Sequence, residues 1–249
     1  MQTAFGNIKI FVYPDYEEMS AKAAEFFAGY LKEKPDAVLG FATGSTPMGM
    51  YSELIELNKK NQIDFSKVRA TFNLDEYYPI KKSDAQSYDR FMSEKLFNHI
   101  NIDKNVIDIP NGEAPDADAE CARYEKTIAD AGGVDFQVLG IGGNGHIGFN
   151  EPGDFFEPAT HCVALTRETI EANARFFESP ERVPKKAVTM GIGTIMAAKK
   201  ILLVCASESK TGILRETLYG KVTPKVPASI LRFHPDVTVM ADAAAGRYI

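Results

Sequence analysis

Residues 140–152 read Gly140-Ile141-Gly142-Gly143-Asn144-Gly145-His146-Ile147-Gly148-Phe149-Asn150-Glu151-Pro152, directly after an apolar run at 136–139. The run has the length and composition of a buried strand. The glycines let the backbone turn sharply and approach a ligand closely. A histidine and a glutamate share that turn, where a small substrate can meet both. Gly140, Gly142 and Gly145 also fit the G-x-G-x-x-G pattern of dinucleotide sites. That pattern needs a helix to open straight after the glycines, to hold a pyrophosphate at its N-terminus. Here Gly148, Asn150, Pro152 and Gly153 follow at once, which opposes a helix. A site loop carrying a titratable pair is the reading that remains.

Outward from this loop, apolar runs alternate with amphipathic stretches along the whole chain. Strands are predicted at 8–12, 37–41, 70–74, 136–140, 187–190, 201–206 and 237–241, with 161–165 extended. Helices are predicted at 16–31, from Pro47 to about 58, and at 87–99, 117–129, 167–177 and 209–218. Such alternation implies α/β class: a single doubly wound, mostly parallel sheet with helices on both faces. One domain over 1–249 is expected, since no linker, repeat or low-complexity tract interrupts it. The segment of about 153–183 is rich in Pro, Gly, Glu and Phe. It fits poorly as core and is expected to form a lid.

The chain has 249 residues, 45% hydrophobic and 25% charged, ordinary values for a soluble globular protein. A net charge of −6 opposes the basic stripe of a nucleic-acid binder, so no nucleic-acid partner is expected. No apolar run approaches the roughly 18 residues of a membrane span, so no membrane partner is expected. Cys121, Cys162 and Cys205 are odd in number and far apart, with no C-x-x-C. Free thiols in a reducing cytoplasm are therefore expected rather than a disulfide framework or zinc site. The residues from Met1 carry no basic-then-apolar signal.

Ligands of open α/β sheets bind outside the carboxyl ends of the strands. Three loops are predicted at such ends: 42–47, 74–78 and 142–151. In the first, Gly44 frees the backbone, and Ser45 and Thr46 offer hydroxyls before a helix start, which suits a phosphate. The same residues also make an ordinary helix cap. It is not a Walker loop, because no G-K-[ST] follows. In the second, Asp75 can act as a base or as a solvated turn residue, with Glu76 beside it. In the third, Glu151 or Asn144 can orient His146 and fix its tautomer. No H-x-H or H-E-x-x-H spacing accompanies His146, so no metal is expected. Arg175 and Lys210 lie on predicted helices near strand ends, as phosphate ligands or as surface charges. A cation at a helix start is disfavoured by the helix dipole, so Lys210 invites a ligand.

Residues 139–152 closely resemble the signature of the glucosamine-6-phosphate deaminase family. So do 42–47 (Ala-Thr-Gly-Ser-Thr-Pro), 72–77 (Phe-Asn-Leu-Asp-Glu-Tyr), 172–177 (Ala-Asn-Ala-Arg-Phe-Phe) and 189–194 (Thr-Met-Gly-Ile-Gly-Thr). Five matches in the family's order cover nearly the whole chain. The resemblance implies a doubly wound cytoplasmic enzyme of amino-sugar catabolism. It would turn glucosamine 6-phosphate and water into fructose 6-phosphate and ammonia. It implies that His146 moves a proton to open the sugar ring, aided by Asn144 and Glu151. Asp75 then takes the C2 proton and delivers it to C1. Gly44, Ser45, Thr46, Arg175 and Lys210 would hold the phosphate, with no cofactor.

Two departures stand out. Many family members have Asp where this chain has Asn144, which cannot stabilise an imidazolium by charge. Allosteric relatives also place basic residues after the Asn-Glu-Pro motif, in a site for N-acetylglucosamine 6-phosphate, where this chain has Asp154, Glu157, His161 and Val163. The resemblance is to the shorter, non-allosteric branch, and a monomer is expected, with a homo-oligomer as alternative. Competing readings are a 6-phosphogluconolactonase, a galactosamine-6-phosphate deaminase and a non-catalytic sugar-phosphate effector domain. The last wants an attached basic DNA-binding segment.

Overall fold

The computed structural model describes residues 2–5, 8–174, 177, 179 and 182–249. Eleven strands are present among them: β1 (Gln2–Phe5), β2 (Ile8–Tyr13), β3 (Val38–Phe41), β4 (Ala70–Asn73), β5 (Asp75–Tyr78), β6 (Ile107–Asp108), β7 (Phe136–Leu139), β8 (His161–Ala164), β9 (Lys186–Thr189), β10 (Lys200–Cys205) and β11 (Val237–Asp242). The α-helices are α1 (Tyr16–Glu33), α2 (Met48–Lys59), α3 (Tyr88–Met92), α4 (Ala117–Asp130), α5 (Arg167–Asn173), α6 (Ile192–Met196) and α7 (Thr211–Tyr219). No helix among the described residues is long and apolar enough to cross a membrane.

The main sheet has the order β1-β2-β11-β10-β7-β3-β4-β6. The strands from β2 to β6 are parallel, and β1 joins β2 antiparallel at the edge. Alternate residues of each central strand face opposite layers, as the two-residue strand period requires. Val38, Leu139, Ile201 and Leu203 enter one apolar cluster. Leu39, Phe41, Phe136, Val138, Leu202 and Val204 enter the other, with α1 and α2 residues Phe27, Tyr51 and Leu54. Helix α1 begins where the Asp15 carboxylate accepts the Glu18 N–H at 2.8 Å, an N-cap that satisfies one orphan donor.

Strand order decides where a ligand can sit. From β3 the chain steps outward to β4 and β6, then returns to β7 on the other side of β3 and proceeds to β10 and β11. The loops leaving β3 and β7 therefore diverge, and the crevice between them is the switch point of the sheet. All three loops singled out in the sequence lie on this edge, because β7, β3 and β4 are adjacent and parallel.

The single sheet expected from sequence is joined by a second, with the antiparallel order β5-β9-β8. Residues 75–78, read as a loop, form its first strand. The crossover takes one residue. Leu74 still donates its N–H to Phe41 O at 3.1 Å, while its carbonyl accepts Met190 N at 2.7 Å, and Asp75 pairs with Thr189. The segment 153–183 supplies β8, α5 and two members of a small apolar cluster. There Leu165 and Val183 are buried with Tyr77, Ile80, Phe149 and Ala187. The predicted helix 87–99 is shorter: α3 gives way to a π-helical turn over Ser93–Phe97.

Candidate active site

The β7 loop does not open a helix. It folds on itself through Gly142 N–H to His146 O at 2.9 Å and Gly145 N–H to Gly142 O at 3.1 Å. A Cβ on Gly142 would lie 2.3 Å from the His146 ring, so glycine is what lets the imidazole lie across the backbone. Gly148 has φ +59°, and a Cβ there would meet Thr189 Oγ1 at 2.8 Å and come within 3.5 Å of Asp75 Oδ2. This glycine brings the loop down onto the seam between the sheets. Thr189 Oγ1 accepts the Phe149 N–H at 3.0 Å. Asn150 Nδ2 donates to Ile147 O at 2.9 Å and Met190 O at 2.8 Å, which fixes the residue just before Glu151.

His146 Nδ1 lies 3.5 Å from Glu151 Oε2, an ion-pair distance, with no closer hydrogen-bond partner among the described residues. Asn144 Nδ2 donates to the same oxygen at 2.7 Å, and Asn144 Oδ1 accepts the His146 backbone N–H at 3.2 Å. Asn144 thus orients the glutamate and the backbone rather than bonding the imidazole. Burial disfavours the Glu151 charge. His146, Thr169 and Asn144 more than offset that cost and hold the carboxyl down at about 2.

Asp75 opens β5 and is 6% exposed. Burial, and then the neighbouring Glu76 charge, push its carboxyl well above the usual range. Glu76 points elsewhere, as strand alternation demands. Its carboxylate accepts the N–H groups of Tyr77 (2.9 Å), Tyr88 (2.9 Å) and Asp89 (3.0 Å). Burial still lifts it to about 7, against those hydrogen bonds. Glu76 therefore anchors the start of α3, and the Tyr88 ring of α3 stacks on Phe149 at 6.0 Å and 9°.

At the β3 end, Gly44 takes φ +108°, with open space where its Cβ would stand. Pro47 is the N-cap of α2 rather than its first residue, and no side chain caps that helix. Ser45 and Thr46 are thus not spent as caps. Their carbonyls accept from Tyr16 Oη at 3.1 and 3.0 Å, and the same oxygen accepts Gly49 N–H at 2.7 Å. Lys210 closes a short 3-10 turn and caps α7. Its Nζ is 4.0 Å from the Cβ position of Gly143, so it reaches the β7 loop. Arg175 lies outside the described residues.

The structure brings Asp75, Asn144, His146, Glu151 and Lys210 around one loop, with Gly44, Ser45 and Thr46 at the adjoining strand end. Tyr16 and Thr169 escaped the sequence reading, and Thr189, quoted only within the 189–194 motif, was given no role; all three also fix these loops. Tyr16 and Thr189 act through contacts between residues distant in sequence. Thr166 marks the helix start as an N-cap threonine, but nothing in the sequence singles out Thr169.

A doubly wound sheet with a buried carboxyl and a histidine–glutamate pair at its switch point defines an α/β enzyme whose acid–base groups line the crevice. The family model described as glucosamine-6-phosphate isomerases/6-phosphogluconolactonase matches residues 14–240, and the chain belongs to that family. It is 54% identical over 242 residues to a glucosamine-6-phosphate deaminase of Thermoanaerobacter pseudethanolicus, covering 97% of this chain and 95% of that one. It is 54% identical over 238 residues to the Clostridioides difficile enzyme of the same name, covering 96% and 95%. Among solved structures, a monomeric glucosamine-6-phosphate deaminase superposes with TM-score 0.94 at 47% identity, over 96% of this chain and 99% of that one. A Trypanosoma brucei 6-phosphogluconolactonase shares the fold, with TM-score 0.76 at 18% identity, over 96% and 98%.

Proposed function

We propose that this chain is a glucosamine-6-phosphate deaminase, converting glucosamine 6-phosphate and water to fructose 6-phosphate and ammonia. The observation that carries the reading is the approach of the buried Asp75 carboxyl to the loop that holds His146 and Glu151. An aldose–ketose rearrangement with loss of an amine needs a proton moved at the ring oxygen and another moved from C2 to C1. Two acid–base groups on either side of one crevice suit those two tasks. His146 opens the pyranose ring, with Glu151 set against its Nδ1 and Asn144 holding Glu151. Asp75 takes the C2 proton and returns it at C1 of the enolamine. Water then adds where the amine leaves as ammonia. Gly44, Ser45, Thr46, Lys210 and Arg175 hold the 6-phosphate. The uncapped start of α2 favours an anion there.

The substrate's own amine and hydroxyls carry the electrons, so turnover is expected without an added metal or organic cofactor. The segment 153–183, which packs Leu165 and Val183 against Tyr77, Phe149 and Ala187, is the proposed cover of the site within a single domain. A monomer in the cytoplasm is the proposed setting, in line with the 47% identical monomeric relative. The test is ammonia release from glucosamine 6-phosphate, galactosamine 6-phosphate and glucosamine, with chelator present. Rapid turnover of the first, and a much smaller kcat/KM for the unphosphorylated sugar, are expected. Charge-assisted hydrogen bonds of about 1.5–3 kcal/mol each are lost with the phosphate. Equal turnover of glucosamine and its phosphate overturns the phosphate site.

A further inference from the structure

Glu151 is held from two sides. Its Oε2 faces the glycine-rich loop, through Asn144 and His146. Its Oε1 faces α5, where Thr169 Oγ1 donates to it at 2.5 Å. Thr169 is 4% exposed. Its hydroxyl is not needed to start the helix, because Thr166 already caps α5 by accepting the Thr169 N–H. Nor does Thr169 hydrogen-bond back to the preceding turn, the usual local choice for a helical threonine. Thr166 Oγ1 donates to Thr169 Oγ1 at 3.1 Å. That bond occupies a lone pair of Thr169 and leaves its proton for Glu151. The result is a short relay from the start of α5 to a site carboxylate.

We infer that Thr169 is a positioning residue. It holds Glu151 ionised and turned toward His146, and it makes that arrangement depend on α5 being seated against the site. The inference rests on the deaminase reading for what His146 does, but the Thr169–Glu151 link is testable without turnover. A donor to the charged form of a carboxyl stabilises that form, so losing the donor must release part of the depression. Seating α5 and arming the histidine pair then become one event, which ties the acid–base pair to the cover of the site.

Two readouts test this in Thr169→Val, which keeps the shape and removes the donor, and in Thr169→Ser, which keeps the donor. Carbon-13 NMR of the Glu151 carboxyl, assigned with Glu151→Gln, reads the link without substrate. In wild type the carboxyl stays ionised through the ordinary carboxylate range. In Thr169→Val its midpoint should rise by about one to two pH units, the worth of one charge-assisted hydrogen bond. Thr169→Ser should titrate like wild type. In steady state, Thr169→Val should lose roughly tenfold to a hundredfold in kcat with KM near wild type, and Thr169→Ser should recover most of it. Should Thr169→Val not fold, Thr169→Ala gives the same carboxyl readout. An unmoved Glu151 midpoint in the folded variant overturns the inference even if wild type is an active deaminase. So does a kcat loss that serine does not rescue. A moved midpoint in a protein that does not deaminate glucosamine 6-phosphate leaves the link standing and sinks the functional reading instead.

Discussion

The eight-stranded sheet carries a large apolar cluster on each face, with Phe27, Phe41, Phe72, Phe97 and Phe136 all fully buried. The three-stranded sheet rests on Tyr77, Ile80, Phe149, Leu165, Val183 and Ala187. The site draws on both. Asn144 and His146 hang from the large sheet through β7, Asp75 begins the small sheet, and Thr169 reaches Glu151 from beyond it. Rigid placement of reacting groups favours a deep core, since small displacements cost rate steeply. Admission of a substrate favours elements that open at low free energy. If the small sheet opens more readily than the large one, the division lets one site have both properties. The seam at Leu74–Asp75 is where they meet.

The largest expected effect falls on that seam. Asp75→Asn keeps the shape and removes the proposed base, and should lower kcat by roughly 10²–10⁴ with substrate affinity little changed. Solvent-deuterium exchange at substrate C2 should fall in parallel. Near-normal exchange would move the base away from Asp75. Glu76 is a poor successor, since its carboxylate is turned to the start of α3. Because Asp75 must lose its proton to act, its raised pKa should carry the acidic limb of kcat/KM above the ordinary carboxylate range. A limb at an ordinary aspartate value would contradict the burial argument.

Stability should separate the two sheets more gently. Phe41→Ala, in the large core, should lower global stability by about 3–5 kcal/mol, read by denaturant unfolding. Leu165→Ala, in the small cluster, should cost nearer 2 kcal/mol. Its first sign should be faster amide exchange over residues 161–173. Equal global losses, with no local exchange in Leu165→Ala, would show the sheets to be one cooperative unit.

This division is also where the sequence stopped being legible. The parallel sheet could be read because central strands buried on both faces appear as apolar runs, plain at 201–204 and broken only by Gln137 at 136–139. The three site loops could be read because glycine, hydroxyl and carboxyl residues cluster at the ends of those runs. Strand β5, Asp-Glu-Tyr-Tyr, has no such run. Two carboxyl groups in four residues look like a solvated turn, and only tertiary contact pays for burying them: three backbone N–H groups for Glu76, and the β9 pairing beside Asp75. Helix 87–99 was over-read for the opposite reason. Its apolar spacing continues through Phe97, but the backbone shifts to a π-turn at Ser93, which periodicity cannot detect. Thr169 was missed because a threonine at the third helical position looks the same whether it caps its own helix or bonds a glutamate 18 residues away.

A smaller effect should appear in the pH dependence of stability. Glu76 titrates at about 7 in the folded chain, with burial the dominant cause, against 4.5 for an ordinary glutamate. Its folded pKa is raised, so the stability it confers is fully present below about 4.5 and is lost as pH rises through 7. Glu76→Gln can still accept an α3 N–H but has no charge to desolvate. Its unfolding free energy should therefore decline less than that of wild type between those values, with buried Asp75 keeping its own share of the slope. Urea unfolding at pH 5 and pH 8 would compare them. Parallel losses in both proteins would mean that other groups set the slope.

The smallest expected effect is none at all, and it concerns the flank of the small sheet. A cavity of about 410 Å³ lies there, bounded by Glu151, Asp154, Glu157 and His161. Among its described lining residues there are three carboxylates and no lysine or arginine. Lys225 is already paired with Asp154 at 2.7 Å, and Lys186 stands beside the lining as the strand partner of Ala164. A second sugar phosphate placed in this cavity would lose hydration without a fixed donor in return. Coupling between sites requires an effector that binds one state better than another, and here the three lining carboxylates oppose the first condition, binding. Titration with glucosamine 6-phosphate should therefore be hyperbolic. N-acetylglucosamine 6-phosphate should leave its shape unchanged and act only as a weak competitor at the crevice. A sigmoidal curve made hyperbolic by that compound would show that the small sheet answers to an effector, and that its acidic flank rearranges to admit one.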